Sequence, residues 1–190
     1  MAMDRRNFLK RTAQKTAEHA IESVEARIKE RARRWIRPPY AVTELDFLLS
    51  CSRCGDCVTA CPHKLIFPLK ASLGADVAGT PALDLTHRAC QLCEDWPCVA
   101  ACETGSLRMM EADDGNVALP HLAIAQIDEE SCLPYKGPEC GACEGSCPIE
   151  GALTWGDYKP TINSELCVGC AQCRHACVLQ PSAISIVSAV

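Results

Sequence analysis

Aromatic side chains are scarce in this chain, with 3 Phe, 3 Tyr and 3 Trp among 190 residues. So thin a supply cannot fill a large core, and something other than ring packing must hold the fold. Long apolar runs are missing as well. No stretch approaches the roughly 18 apolar residues of a membrane span. There is no Walker phosphate loop, no glycine-rich dinucleotide fingerprint and no His-Glu zinc-protease helix, so no motif points to nucleotide, nicotinamide or protease chemistry. Beyond residue 37 positive charge is also short. Residues 1–37 carry 11 Lys or Arg against 5 Asp or Glu, and residues 38–190 carry 8 against 19. An acidic main body is steered toward basic partner surfaces and away from nucleic acid.

What the chain has in excess is cysteine, 16 residues in four runs. The first is Cys51, Cys54, Cys57 and Cys61, followed by Pro62. Three cysteines at intervals of three, then a fourth and a proline, is the bacterial ferredoxin run that holds cubane iron–sulfur clusters. A tight loop turns three thiolates onto one cluster while the fourth, carried off on the following helix, faces a neighbouring cluster. Gly55 supplies backbone angles closed to other residues, and Pro62 directs the chain onward. The run recurs as Cys90, Cys93, Cys98 and Cys102; as Cys132, Cys140, Cys143 and Cys147; and as Cys167, Cys170, Cys173 and Cys177. Each run is followed by an aliphatic position, at Leu65-Ile66, Leu107, Leu153 and Ile184, which makes one unit repeated four times.

A disulfide framework and zinc knuckles are the competing readings of so much cysteine. Neither needs four repeats of three thiols plus a distant fourth. Metal–thiolate bonds formed only in the folded state contribute folding free energy, so the chain without metal is expected to be largely unfolded. Five histidines, His19, His63, His87, His121 and His175, share no ligand spacing and are read as surface or structural.

In chain order, Asp4-Arg5-Arg6-Asn7-Phe8-Leu9-Lys10 has the form of a twin-arginine export motif, but the apolar segment that such a signal requires does not follow it. Residues 12–34 are expected to be a helix instead, with Ala13, Ala17, Ile21, Val24, Ile28, Ala32 and Trp35 on one side. Pro38-Pro39 ends it, and its charged face suits a partner, an anionic membrane surface or packing within the chain. Residues 41–50 predict a short helix. Residues 106–110 and 122–127 predict strands separated by a turn at 113–116, residues 153–155 and 160–162 a hairpin about Gly156-Asp157, and residues 183–187 a closing strand. In the second run the inserted Glu94-Asp95-Trp96-Pro97 either sets an indole and two carboxylates beside a cluster, where burial and charge would shift its potential, or forms a surface bulge with no tuning role. In the third run the first interval widens to seven residues.

The stretches RPPYAV, GTPALDL, CQLCEDWPCVAAC, CLPYKGPECGACEGSCP and CAQCRHACVLQPSAISIV together resemble the four-cluster ferredoxin-type proteins NapF, NapG and MauM, over about residues 37–188. The resemblance implies electron transfer from a membrane quinol-oxidising partner of the NapH type toward a terminal reductase. Its alternative is a cytoplasmic maturation factor that binds a molybdoenzyme precursor, as the resemblance to NapF-like proteins implies. The charged segment after Arg5-Arg6 departs from the exported members, so a cytoplasmic place, perhaps peripheral to a membrane, is expected, with a periplasmic one as the alternative.

The resulting expectation is an α+β chain with a basic amphipathic helical extension at 1–37 and two fused bacterial 2[4Fe–4S] ferredoxin-like domains at 38–121 and 122–190. All sixteen cysteines would be iron ligands of four [4Fe–4S] clusters in a non-catalytic electron carrier. With the fourth cysteine exchanged between adjacent runs, the groups are Cys51/Cys54/Cys57/Cys102, Cys90/Cys93/Cys98/Cys61, Cys132/Cys140/Cys143/Cys177 and Cys167/Cys170/Cys173/Cys147. Nested pairing of runs one with four and two with three is the alternative. No nucleic acid and no small-molecule substrate is expected.

Overall fold

The computed structural model describes residues 26–28, 30, 32–110 and 117–188. It is a mixed helix and strand fold of the ferredoxin-like kind, with short elements set between cysteine loops. Among the described residues six strands form three two-stranded antiparallel pairs: β1 (Ile66–Pro68) with β2 (Pro81–Leu83), β3 (Ala123–Ile127) with β6 (Ile184–Ser188), and β4 (Leu153–Gly156) with β5 (Lys159–Ile162). The same plan occurs twice. In the second half β3 enters run three, the β4–β5 hairpin separates runs three and four, and β6 leaves run four to pair back with β3. In the first half a single bridge from Ala41 to Leu107 takes the place of the β3–β6 pair, and β1–β2 takes that of the hairpin.

Among the described residues the expected strand at 106–110 makes that bridge and a hydrogen bond from the Ala118 N–H to the Met110 carbonyl, and residues 122–127 pair with β6 rather than back onto it. The turn expected at 113–116 lies outside the described residues, as does most of the expected helix at 12–34. The described end of that helix buries Ala32 and Trp35, so there the apolar stripe packs within the chain before the turn into Pro38-Pro39. The β4–β5 turn falls one residue later than expected, on Asp157 and Tyr158, both at positive φ (48° and 62°). Two successive left-handed residues are what a two-residue type I′ hairpin turn demands.

The helix Glu44–Ser50 begins where Thr43 accepts from the Asp46 N–H, and it buries Phe47 completely. Arg37 locks this helix to the first hairpin. Its guanidinium holds Glu44 at 2.6 and 2.8 Å, donates to the Thr80 hydroxyl and the Pro81 carbonyl, and lies 4.6 Å from the Phe47 ring centre. Trp35 Nε1 donates to the same carboxylate. Few rings are needed when each is tied down in this way.

The main apolar core does not stop at residue 121. It joins Tyr40, Phe47, Leu83, Leu85, Trp96 and Val99 of the first half to Leu122, Ala123, Val168 and Ala171 of the second. Among the described residues no helix is long and apolar enough to cross a membrane.

Candidate metal centres

The loops turn inward by taking backbone angles that side chains resist. In run one φ is positive at Arg53 and Gly55, in run two at Leu92 and Trp96, and in run four at Gly169 and Ala171. Glycine reaches this region freely, whereas Arg53, Leu92, Trp96 and Ala171 are held there against their steric preference. Gly169 has a second reason to be glycine. A Cβ there would run into the backbone of Ala123 at the start of β3, so the loop of run four and β3 lie in direct contact.

This winding gathers the thiols into sets, each drawing on two runs. One small cavity is lined by Cys90, Cys93 and Cys98 of run two and by Cys61 of run one. A second is lined by Cys167, Cys170 and Cys173 of run four and by Cys147 of run three. Aliphatic residues complete both walls: Leu65, Ile66 and Leu83 in the first, Ala125, Ile149, Leu153 and Ile162 in the second. The other eight thiols form two sets outside these. Burial first, then the nearby Cys51, Cys102 and Cys54, push the Cys57 thiol up to about 11. Burial pushes Cys143 up to about 11 as well, with Cys132, Cys140 and Cys177 adding to it.

The inner thiols are the most strongly perturbed. Burial and neighbouring thiols push Cys98 and Cys173 up to about 12, and Cys90 up to about 11 despite a hydrogen bond from Leu92. A buried thiol keeps its proton unless something replaces the positive charge, and a metal does so. Yet among the described residues no three His, Cys, Asp or Glu side chains converge on a point where a single ion would sit. Thiols close enough to perturb one another, spread around an apolar cavity, fit a multi-iron cluster with one thiolate per corner better than one tetrahedral zinc. The donor set, all thiol, is the one such clusters take.

Two fourth cysteines carry donors of their own. Burial raises Cys102, but hydrogen bonds from the Leu107 N–H, the Thr104 hydroxyl and the Ser106 and Thr104 N–H groups outweigh it, and the thiol ends below its ordinary range. Cys177 shows the same balance: burial is overcome by the Ser182 hydroxyl, the Leu179 and Ala183 N–H groups and the Arg174 charge. Ala125 N–H reaches the sulfur of Cys167 at 3.5 Å.

The sets lie in series. Cys57 adds to the rise at Cys98 and Cys170 to that at Cys90, so run two lies between runs one and four, and Cys143 of run three shares a core with Cys173 of run four. Between runs two and four the join is direct: Cys90 N–H donates to the Cys170 carbonyl at 2.8 Å, and Gln172 Nε2 donates to the Cys90 carbonyl.

Trp96 lines the first cavity, and its ring meets that of Tyr40 in a T-shaped contact with centres 4.9 Å apart. Of the two carboxylates in that insertion both are exposed, and Asp95 adds to the rise at Cys93 after burial and Cys61. His63, read as surface or structural, is exposed and also lines the first cavity. His87 pairs with Asp84 at 3.0 Å. Gln172 and Trp155 carried no sequence signal. Only their place in the fold, at the junction and beside Cys140, marks them.

A family model described as a 4Fe-4S dicluster domain matches residues 50–106. The methylamine utilization ferredoxin-type protein MauM of Methylobacillus flagellatus is 38% identical over 164 residues, covering 80% of this chain and 68% of that protein. The ferredoxin-type protein NapG of Escherichia coli is 36% identical over 166 residues, covering 80% of this chain and 70% of that protein. The ferredoxin-type protein NapF of Escherichia coli is 30% identical over 148 residues, covering 75% and 79%. Among the NapG and MauM relatives the share spanned by this chain runs from 58% to 72%.

Proposed function

This chain belongs to the MauM/NapG family of ferredoxin-type iron–sulfur electron-transfer proteins, and from that premise we propose that it relays single electrons through four [4Fe–4S] clusters between two redox proteins. Each cluster would be held by three thiolates of one run and the fourth of its neighbour: Cys51, Cys54, Cys57 and Cys102; Cys90, Cys93, Cys98 and Cys61; Cys167, Cys170, Cys173 and Cys147; Cys132, Cys140, Cys143 and Cys177. The observation that carries this reading is the pair of apolar cavities, each lined by four cysteines drawn three and one from adjacent runs. Such clusters exchange one electron with little change of shape. The chain's part is to exclude water with Leu65, Leu83, Ile149 and Leu153 and to fix the thiolates with its left-handed loops.

The series order makes runs one and three the two ends. Cys54 is exposed at one end, and Cys140 lines an open cleft at the other. The two halves are then two fused ferredoxin-like domains, one at 38–121 and one at 122–190, joined through Cys90 and Cys170. The donor that fits the family resemblance is a membrane quinol-oxidising protein of the NapH type, and the acceptor a terminal redox enzyme.

Protein purified without oxygen is expected to hold roughly 16 iron and 16 sulfide per chain, as four cubanes on 16 thiolates require. Replacing Cys54 and Cys57 by Ser is expected to abolish reduction of the acceptor, with the fold of the variant checked first, since cluster thiolates contribute to folding. A folded, cluster-deficient variant that still supports full partner activity would overturn the relay and leave a maturation role, which needs only a docking surface. Stoichiometric zinc in place of iron would overturn both.

A further inference from the structure

The indole of Trp155 carries an N–H that is shut off from solvent and has no hydrogen-bond partner among the described residues. Buried donors in folded proteins are almost always satisfied, so an orphan of this kind marks a group that arrives later. Its position says which group. Trp155 and Leu153 share the inward face of β4, where residues two apart point the same way. Leu153 lines the cavity of the run-four thiols, and Trp155 lines the cleft that holds Cys140, with its ring against the core around Cys143. One strand face thus lies over two neighbouring thiol sets, and the indole is at the outer one.

The alternatives nearby are poor. A bridging water needs two to four polar partners, and the core against which the ring packs is Ala125, Cys143, Cys173 and Ile184. The exposed carboxylates of Glu139 and Glu144 line the same cleft but make no bond to this nitrogen. By contrast, the indole N–H of Trp35 is matched to a protein acceptor, Glu44. We infer that Trp155 Nε1–H donates a hydrogen bond to a sulfur of the cluster held by Cys132, Cys140, Cys143 and Cys177, and so raises the reduction potential of the cluster at that end of the series. The inference rests on reading those four thiols as one cluster site. An N–H aimed at sulfur stabilises the state carrying the extra negative charge, and hydrogen bonds to sulfur are among the groups that set such potentials.

The test uses the full-length, cluster-loaded chain and the variant Trp155→Phe, which keeps the ring and removes the N–H. Iron and sulfide are counted first. With iron retained, a redox titration followed by electron paramagnetic resonance is expected to show one of the four clusters about tenfold harder to reduce, equal to about 59 mV for one electron. Four unchanged potentials in a fully loaded variant would overturn the inference while leaving the relay intact. A wild-type chain without cluster iron would overturn both. If Trp155→Phe loses its iron, wild-type protein labelled with ¹⁵N in its indoles decides: a nitrogen coupling to a reduced cluster that persists in Trp96→Phe supports the bond, and its absence removes it.

Discussion

Ala171 and Gly169 sit on either side of the Cys170 thiol, and both have left-handed backbone, yet only one of them is glycine. Ala171 is buried and held at φ 67° against the clash of its own Cβ. Ala171→Gly removes that strain and is expected to stabilise the loaded protein by about 0.5–1 kcal/mol, read as a higher guanidinium midpoint for loss of cluster absorbance. Gly169→Ala is expected to do the opposite, costing about 2–4 kcal/mol, because its methyl has only the Ala123 backbone to displace. The thiols set a further residue-scale expectation. Five of them, Cys57, Cys90, Cys98, Cys143 and Cys173, are pushed from 9.0 to about 11 or 12 in the empty fold. Because the folded values are raised, they favour the empty fold fully below pH 9, and that contribution is lost as pH climbs through 11 to 12. Loading replaces the protons with iron, so it runs the other way: clusters should assemble more completely at about pH 8 than at about pH 6, and acid should bleach the protein. Absorbance during reconstitution across that range measures it.

Among the elements, the N-terminal link into the first hairpin is the least obvious from sequence. RPPYAV stood out only as part of a resemblance, and the reason lies in Arg37, whose partners come from two separate segments, Glu44 from one and the adjacent Thr80 and Pro81 from the other. Arg37→Met would strand the Glu44 carboxylate, whose side chain is 4% exposed, and is expected to cost about 3–5 kcal/mol in the same guanidinium assay. A double variant that also replaces Glu44 by Gln should recover part of that loss. The helix at 44–50 and the β4–β5 hairpin were legible because capping and turn residues act over a few positions. The register of β3 was not. That Ala123–Ile127 and Ile184–Ser188 belong together follows from one entering run three and the other leaving run four, but the residue-by-residue match depends on how those runs close around their thiols. Alternation along a strand says which face is apolar and nothing about which neighbour it meets.

For the whole molecule, the four runs and their three-plus-one spacing were readable because ligand chemistry constrains them directly. The order in space was not, since nothing local tells run two that it will meet run four before run three. That junction is also where the halves stop being separable. Cys90 N–H is held by the Cys170 carbonyl, Gln172 holds the Cys90 carbonyl, and both cysteines line cavities. A loop organised by metal on one side therefore presents its neighbour already shaped, and filling should be all-or-none rather than site by site. Native mass spectrometry of a half-reconstituted sample is expected to show empty and full chains with few in between. Gln172→Ala should let the intermediate masses appear, turning one cooperative unit into two independent halves.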